Sequence, residues 1–445
     1  MKPNTTKDEV FGSNHLKNLS ASHHQDKEKN DFDKAAEAGN FSLSERVGRR
    51  KTQQDSEFIG IVTEDKALKN PGQFLQEAIV ASESKHKKCY NGTTVCSAII
   101  KEDNIAVANL GDSRAALIFR YRGRLRDRYI SVLLTQDQDL SLPRIERYVT
   151  QNGGKISLDL GSLVVNGILT MGGAIGDYKT VLSSKTPRDC LIRKPDIFHY
   201  NIADLCAEIG IKPKKIIDLD LVVSCDGLWD FKKGSENYVK MKTNFEAYID
   251  ETGQQKLKQN RFASFADNLF DVKKAHLANR DRVSLACVAT NHAYAKGSKD
   301  NISVAHIALK ANKVSLISCD QALMATVCDG HGDGLGANHE SIDLRGKKDA
   351  SDENWGQNLD GLVLASSVAA DLFCAAKIRE IPGLEIDVEK QSCLAQLIAL
   401  NQERDLSEVS ERDSQNSPKR DSIQVRDSIL LVGSDHYNSR KIAIP

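Results

Sequence analysis

No stretch of this 445-residue chain approaches the roughly 18–20 consecutive apolar residues needed to span a bilayer as a helix. Net charge is missing too, because 61 Lys and Arg balance 61 Asp and Glu. That argues against a surface given over to nucleic acid or anionic lipid and leaves room only for a local patch. The ten cysteines include no Cys-x-x-Cys and no Cys/His spacing suited to zinc. They read as buried free thiols of a reducing compartment. The opening residues lead into polar sequence without the apolar core of a signal peptide. A soluble cytoplasmic protein with no nucleic-acid partner and no membrane span is therefore the expectation, and no long internal repeat breaks the chain into modules.

What the chain does have is acid at the ends of strands. The apolar run Leu221-Val222-Val223-Ser224-Cys225 drives into Asp226-Gly227, with Asp230 just beyond. Leu323–Cys328 stops at Asp329-Gly330-His331-Gly332, and Ile302–Ala305 begins directly after Asp300-Asn301. Carboxylates gathered this way suit a hard divalent cation such as Mg²⁺ or Mn²⁺.

Residues 1–40 are polar and read as a disordered leader, 41–400 as the catalytic domain, and 401–445 as a polar tail. Ile429–Val432 in that tail has the pattern of a docked strand. Three short strands with tight turns, near 92–100, 105–110 and 115–119, predict an antiparallel meander. Further strands are expected at 131–134, 163–166, 218–224 and 302–309. Helical spacing marks 75–86, 142–150, 264–278 and 362–376, the last with Asp360 as a possible cap. Meanders with separate helices point to an α+β class, a layered sandwich rather than a doubly wound sheet.

Read together, the acidic segments resemble the metal-dependent type 2C serine/threonine protein phosphatases (the PPM family). Arg50 with Gln54-Asp55 looks like that family's first motif, and Asp329-Gly330-His331-Gly332 like its Asp-Gly-His-Gly signature. Gly92-Thr93-Thr94, Gly111-Asp112-Ser113-Arg114, Thr135-Gln136-Asp137 and Asn152-Gly153-Gly154 match the motifs that follow. Asn166-Gly167 through Gly176-Asp177, then Cys225-Asp226-Gly227 and Asp300-Asn301, complete the set. The resemblance implies an α-β-β-α sandwich of two mainly antiparallel sheets flanked by helices. It also implies hydrolysis of phosphoserine or phosphothreonine in a phosphoprotein, by a monomer, with water activated between two Mg²⁺ or Mn²⁺ ions.

By the same resemblance Asp329 bridges both ions, the Gly330 carbonyl binds one, and Asp226 with Asp300 holds the other. Asp112 matches a third, weaker metal site. His331 becomes the general acid, Arg50 the phosphoryl-binding group, and Asp55 an orienter of metal-bound water. Five departures stand out. Asp-Gly-His-Gly and its helix, about 313–380, follow the last strand instead of the first motif, which implies a rearranged strand order. Gly173 stands where the family usually has Arg, Gln54 where many members have Glu, and Asp333 where a second Gly follows the His. The interval from Asp230 to Asp300 also looks long, with an insertion expected near 235–260.

Two other readings stay open at this level. The departures also suit a pseudophosphatase, a binding scaffold on the same fold. Asp329-x-His331-x-Asp333-Gly334 with Glu340 nearly fits an EF-hand calcium loop, which needs a helix in front of it.

Overall fold

The structure is a computed structural model. It describes residues 41–46, 50, 54–86, 89–124, 126–159, 161–178, 180, 189–233, 237–261, 263, 265, 266, 269, 284–309, 322–331 and 361–378. In chain order the elements are β1 (Phe41–Arg46), β2 (Asp55–Val62), α1 (Asp65–Lys69), α2 (Pro71–His86), β3 (Gly92–Thr93) and β4 (Val95–Lys101). Then come β5 (Asn104–Leu110), β6 (Arg114–Arg122), β7 (Asp127–Leu133), α3 (Pro143–Gln151), β8 (Ile156–Asp159), β9 (Ser162–Val165) and β10 (Ile175–Gly176). They are followed by β11 (Asp196–Asn201), α4 (Ile202–Glu208), β12 (Ile216–Ser224), β13 (Asp230–Lys233), β14 (Asn237–Lys240), β15 (Phe245–Ile249) and β16 (Gln255–Gln259). The last are α5 (Leu285–Ala295), β17 (Ile302–Ala308), β18 (Ala322–His331) and α6 (Gly361–Ala375).

Two seven-stranded sheets carry the fold. One has the order β1-β17-β12-β6-β7-β15-β16. The other runs β10-β3-β18-β4-β5-β11, with β2 on the free side of β18. Every pairing in them is antiparallel except β7 with β15.

Period-two alternation sorts each strand's side chains between two cores. Leu323, Ala325 and Val327 of β18 face Leu117, Phe119, Leu221 and Val223 of the other sheet, forming the inner core. Met324 and Cys328 point outward, beneath Leu75 and Ile79 of α2 and Leu364, Val368 and Leu372 of α6. On the far side Ile118, Val222 and Val304 pack under Leu285, Ala286 and Ala289 of α5. Both sheets are thus covered on both faces, which explains strands that are apolar almost throughout. The layers are α-β-β-α, the α+β sandwich expected.

Several boundaries differ from the expectations. Helix α2 starts at Pro71, before 75, because Asn70 accepts from the Gln73 backbone N–H and Pro suits a first helical position. Helix α5 was not expected, since Asn291 and His292 interrupt its apolar pattern; its signal is Ser284, whose Oγ accepts from Cys287 N–H. Residues 235–260, where an insertion is expected, hold β14, β15 and β16; β14 pairs antiparallel with β13 and β15 with β16. The expected helix at 264–278 lies mostly outside the described residues, as do Asp360, residues 1–40 and 401–445, and Ile429–Val432. Ala322–His331 is a strand, so the calcium-loop reading lacks its leading helix. Of the cysteines described, Cys89, Cys96, Cys190, Cys206, Cys225 and Cys328 are buried free thiols, while Cys287 and Cys374 are partly exposed. Among the described residues no helix is long and apolar enough to cross a membrane.

Candidate active site

Strand β18 decides where the acids go. It is late in the chain but central in its sheet, flanked by β2 from Val62 to Asp55 and by β4 from Ile100 to Cys96. Its register sets Asp329 directly opposite Asp55. The inner cores then face this end of β18 toward the ends of β12 and β17. There Asp226 follows Ser224, and Asp300 precedes Ile302. Oxygens of Asp226 and Asp329, with the Cys225 sulfur, lie within 4.8 Å of one another.

The electrostatics show that these acids share one space. Burial pushes Asp329 well above the ordinary carboxylate range, and the charges of Asp55, Asp226, Asp300 and Asp112 push it further. Asp226 is likewise raised well above that range by burial, then by Asp112, Asp300 and Asp230. Burial lifts Asp55 to about 7. Burial, then Asp137, lifts Asp112 to about 6. Both Asp55 oxygens, and one oxygen each of Asp112 and Asp226, are buried without a hydrogen-bond partner. An unpaired buried carboxylate is costly, and a cation supplies what is missing. An all-oxygen donor set of this kind fits hard divalent ions. Cys225 is a poor competitor, since burial keeps its thiol protonated.

Arg50 reaches the rim of this cluster and donates from Nη2 to Asp300 Oδ2 at 2.6 Å. The Gln54 backbone N–H donates to Asn301 Oδ1 at 3.1 Å, and its carbonyl accepts from Gly330 N–H at 3.1 Å. These two bonds tie the first motif to both the β17 and β18 ends. Asp112 is set by the turn before β6, where Arg114 grips Asp137 through two bonds at 2.7 and 2.5 Å.

His331 has a partner that the sequence did not assign. Its Nε2 lies 2.6 Å from Asp177 Oδ2. Burial is the largest single influence and disfavours the charged ring, but Asp177, helped by Asp112 and the Asp329 backbone, holds His331 above its ordinary range. Asp177 follows Gly176, and both have left-handed backbone, at φ 53 and φ 75. Such a conformation at a non-glycine residue is uncommon, though Asp tolerates it. Gly92 makes room for the pair: a Cβ there would lie 1.9 Å from Asp177 Oδ2 and 2.5 Å from His331 Nε2. The signal was present in Gly176-Asp177, but its contact spans 154 positions. Gly173 also finds a reason, since a Cβ there would meet Gln138 Oε1 at 1.9 Å. Gln138 accepts from Gly111 N–H and donates to Asp196, filling the space an arginine stem would need.

Comparison with known proteins supplies a family. A sequence model described as protein phosphatase 2C matches residues 4–245, more than half of the chain. This chain belongs to the protein phosphatase 2C family. The match ends before Asp300 and Asp329. Among curated family relatives, protein phosphatase 2C homolog 2 of Hypocrea jecorina is 29% identical over 161 residues, covering 36% of this chain and 31% of the relative. Protein phosphatase 2C 16 of Arabidopsis thaliana is 28% identical over 295 residues, covering 61% of this chain and 48% of its own. The chain therefore spans about a third to a half of the length of these two relatives. Among solved structures, a serine-threonine phosphatase 2C from Toxoplasma gondii aligns at TM-score 0.40 and 14% identity, over 60% of this chain and 94% of that one.

Proposed function

We propose that this chain is a metal-dependent protein serine/threonine phosphatase that hydrolyses phosphoserine and phosphothreonine. The supporting observation is the convergence of Asp226, Asp300 and Asp329 from three strand ends, with Asp55 opposite Asp329 and buried oxygens left unpaired. In this reading Asp226, Asp300, Asp329 and the Gly330 carbonyl hold two Mg²⁺ or Mn²⁺ ions, and Asp112 serves a weaker third site. Bound there, such ions acidify water and neutralise phosphoryl oxygens.

The chain's own residues supply the rest. Arg50, held at the rim by Asp300, presents its planar fork to the phosphoryl group. Asp55 orients water from behind Asp329. Asp177 fixes the His331 ring through Nε2, leaving Nδ1 to pass a proton to the leaving serine or threonine oxygen. Strand β18 takes the place of the family strand that ordinarily follows the first motif, so the late segment completes the site. The enzyme is read as a cytoplasmic monomer, in keeping with its free buried thiols.

The test is hydrolysis of a phosphothreonine peptide by the full chain with Mn²⁺ or with chelator. Turnover should require the metal and fall at least about a hundredfold in Asp226→Asn. No metal binding by calorimetry at millimolar Mn²⁺ would instead favour the scaffold reading.

A further inference from the structure

The sheet that ends in the acid cluster ends, at its other pole, in cations that form no ion pair among the described residues. Strand β6 starts at Arg114 beside the acid cluster and finishes at Arg122, where a hairpin leads into β7. Nine residues of strand place the two poles roughly 30 Å apart. At the far pole β12 enters beside β6, with Ile216 opposite Tyr121 and Tyr121 opposite Arg128. The turn just before Ile216 carries Lys212, Lys214 and Lys215, all exposed. Arg124, Arg126 and Arg128 of the hairpin are exposed as well. The two groups therefore lie side by side as one basic stripe across three adjacent strands.

Charge pairing separates this stripe from an ordinary solvated face. Arg120, nearest the body of the sheet, is neutralised by Asp127 and Asp218, each at 2.8 Å. The six cations beyond it make no ion pair among the described residues. In a chain with no net charge, six uncompensated cations at one pole are a local concentration, not a general excess.

We propose that this stripe is a docking surface for an acidic segment, rich in Asp and Glu, of a protein substrate; the substrate part rests on the phosphatase reading. Arginine forks and lysine ammonium groups match carboxylates directly. Tyr121 and Tyr129 are half-buried against the two cores, so the stripe offers no open aromatic platform for bases. The exposed large hydrophobic side chains, Val80, Tyr148, Leu158 and Ile168, all lie elsewhere, so the described residues offer nothing to insert into a bilayer. The stripe thus holds the acidic segment at one pole, while the phosphoryl group of the same substrate reaches the metal-binding acids at the other. To bridge the poles, at least about nine extended residues must separate the two features. Docking then raises the local concentration of the phosphoresidue at the site.

The experiment measures fluorescence anisotropy of a labelled acidic peptide against the full chain, with a Gln/Asn peptide of equal length as control. A second protein carries Arg124→Glu, Arg126→Glu, Lys214→Glu and Lys215→Glu. The acidic peptide should bind, the control should not, and the variant should bind about tenfold more weakly or worse. Raising salt from about 50 to about 250 mM should weaken wild-type binding similarly. Aryl phosphate hydrolysis with Mn²⁺ should be the same in both proteins, which also shows that the variant folds. If neither protein hydrolyses the aryl phosphate, the phosphatase reading fails, while circular dichroism reports folding and peptide binding still judges the stripe. Equal peptide binding by the two proteins overturns the proposal. So does wild-type binding to phosphatidylserine vesicles or single-stranded RNA without binding to the peptide.

Discussion

The two ends of the β12–β6 pair are built from the same kind of strand and carry opposite burdens. At the Ser224–Arg114 end the acids are enclosed by both sheets, and their charges raise one another's proton affinity. At the Ile216–Tyr121 end the cations stand in solvent. Enclosure is the difference. Like charges in a low-dielectric cleft interact by several kcal/mol, whereas exposed charges are screened within about 10 Å. The acid pole is therefore a store of unfavourable energy that a cation relieves, and the basic pole costs the fold little.

The largest expected effect comes from removing an acid. Asp329→Asn should cut metal-dependent hydrolysis by at least about a hundredfold. In chelator the same variant should unfold at a higher temperature than wild type, by roughly 2–4 °C for each 1 kcal/mol of repulsion relieved. A variant that lost activity and also melted lower would show that Asp329 holds the fold together, and the contrast between poles would fail.

Next is the proton donor. Asp177→Asn should slow hydrolysis of alkyl phosphates about 10- to 100-fold and affect aryl phosphates much less, because phenolates leave without help. Comparing the two substrate classes on one preparation separates a positioning role from simple loss of structure.

The acid pole should also write its signature on pH. In the folded chain Asp55 and Asp112 titrate near 7 and 6, against an ordinary value of 3.8. Between about pH 4 and 7 the folded chain thus holds protons that the unfolded chain has released. Stability in chelator should fall as pH rises through that window, by on the order of a few kcal/mol. Millimolar Mn²⁺ should reverse the fall at pH 7, adding about 2.7 kcal/mol at a hundredfold excess over Kd. Thermal melts with and without metal at several pH values would check both.

The smallest effect belongs to the basic pole. Single reversals such as Lys214→Glu should change stability by no more than about 0.5 kcal/mol. A large loss there would mean that the stripe is structural.

Much of this was legible in the chain itself. The patterns over 92–100, 105–110 and 218–224 marked strands, and each acid-glycine end marked a place where a strand meets the site. Less legible were elements whose reason is tertiary. Helix α5 survives with Asn291 and His292 inside it because its apolar face closes over Val222 and Val304. Gly176-Asp177 marked a turn, but nothing near it in sequence said that its carboxylate would meet His331, 154 positions away. Arg50 could be read as a phosphate ligand, but not as the partner of Asp300.

Local sequence thus determined which segments extend, which coil, and which residues carry the charge, since these follow from side-chain period and turn chemistry over a few residues. Tertiary structure alone decided that the strand after residue 321 inserts between β2 and β4, bringing Asp329 to Asp55. That choice depends on burying both faces of β18, in the one register that sends Leu323, Ala325 and Val327 to the inner core. A slip of one residue would turn Asp329 and the whole strand to the wrong side.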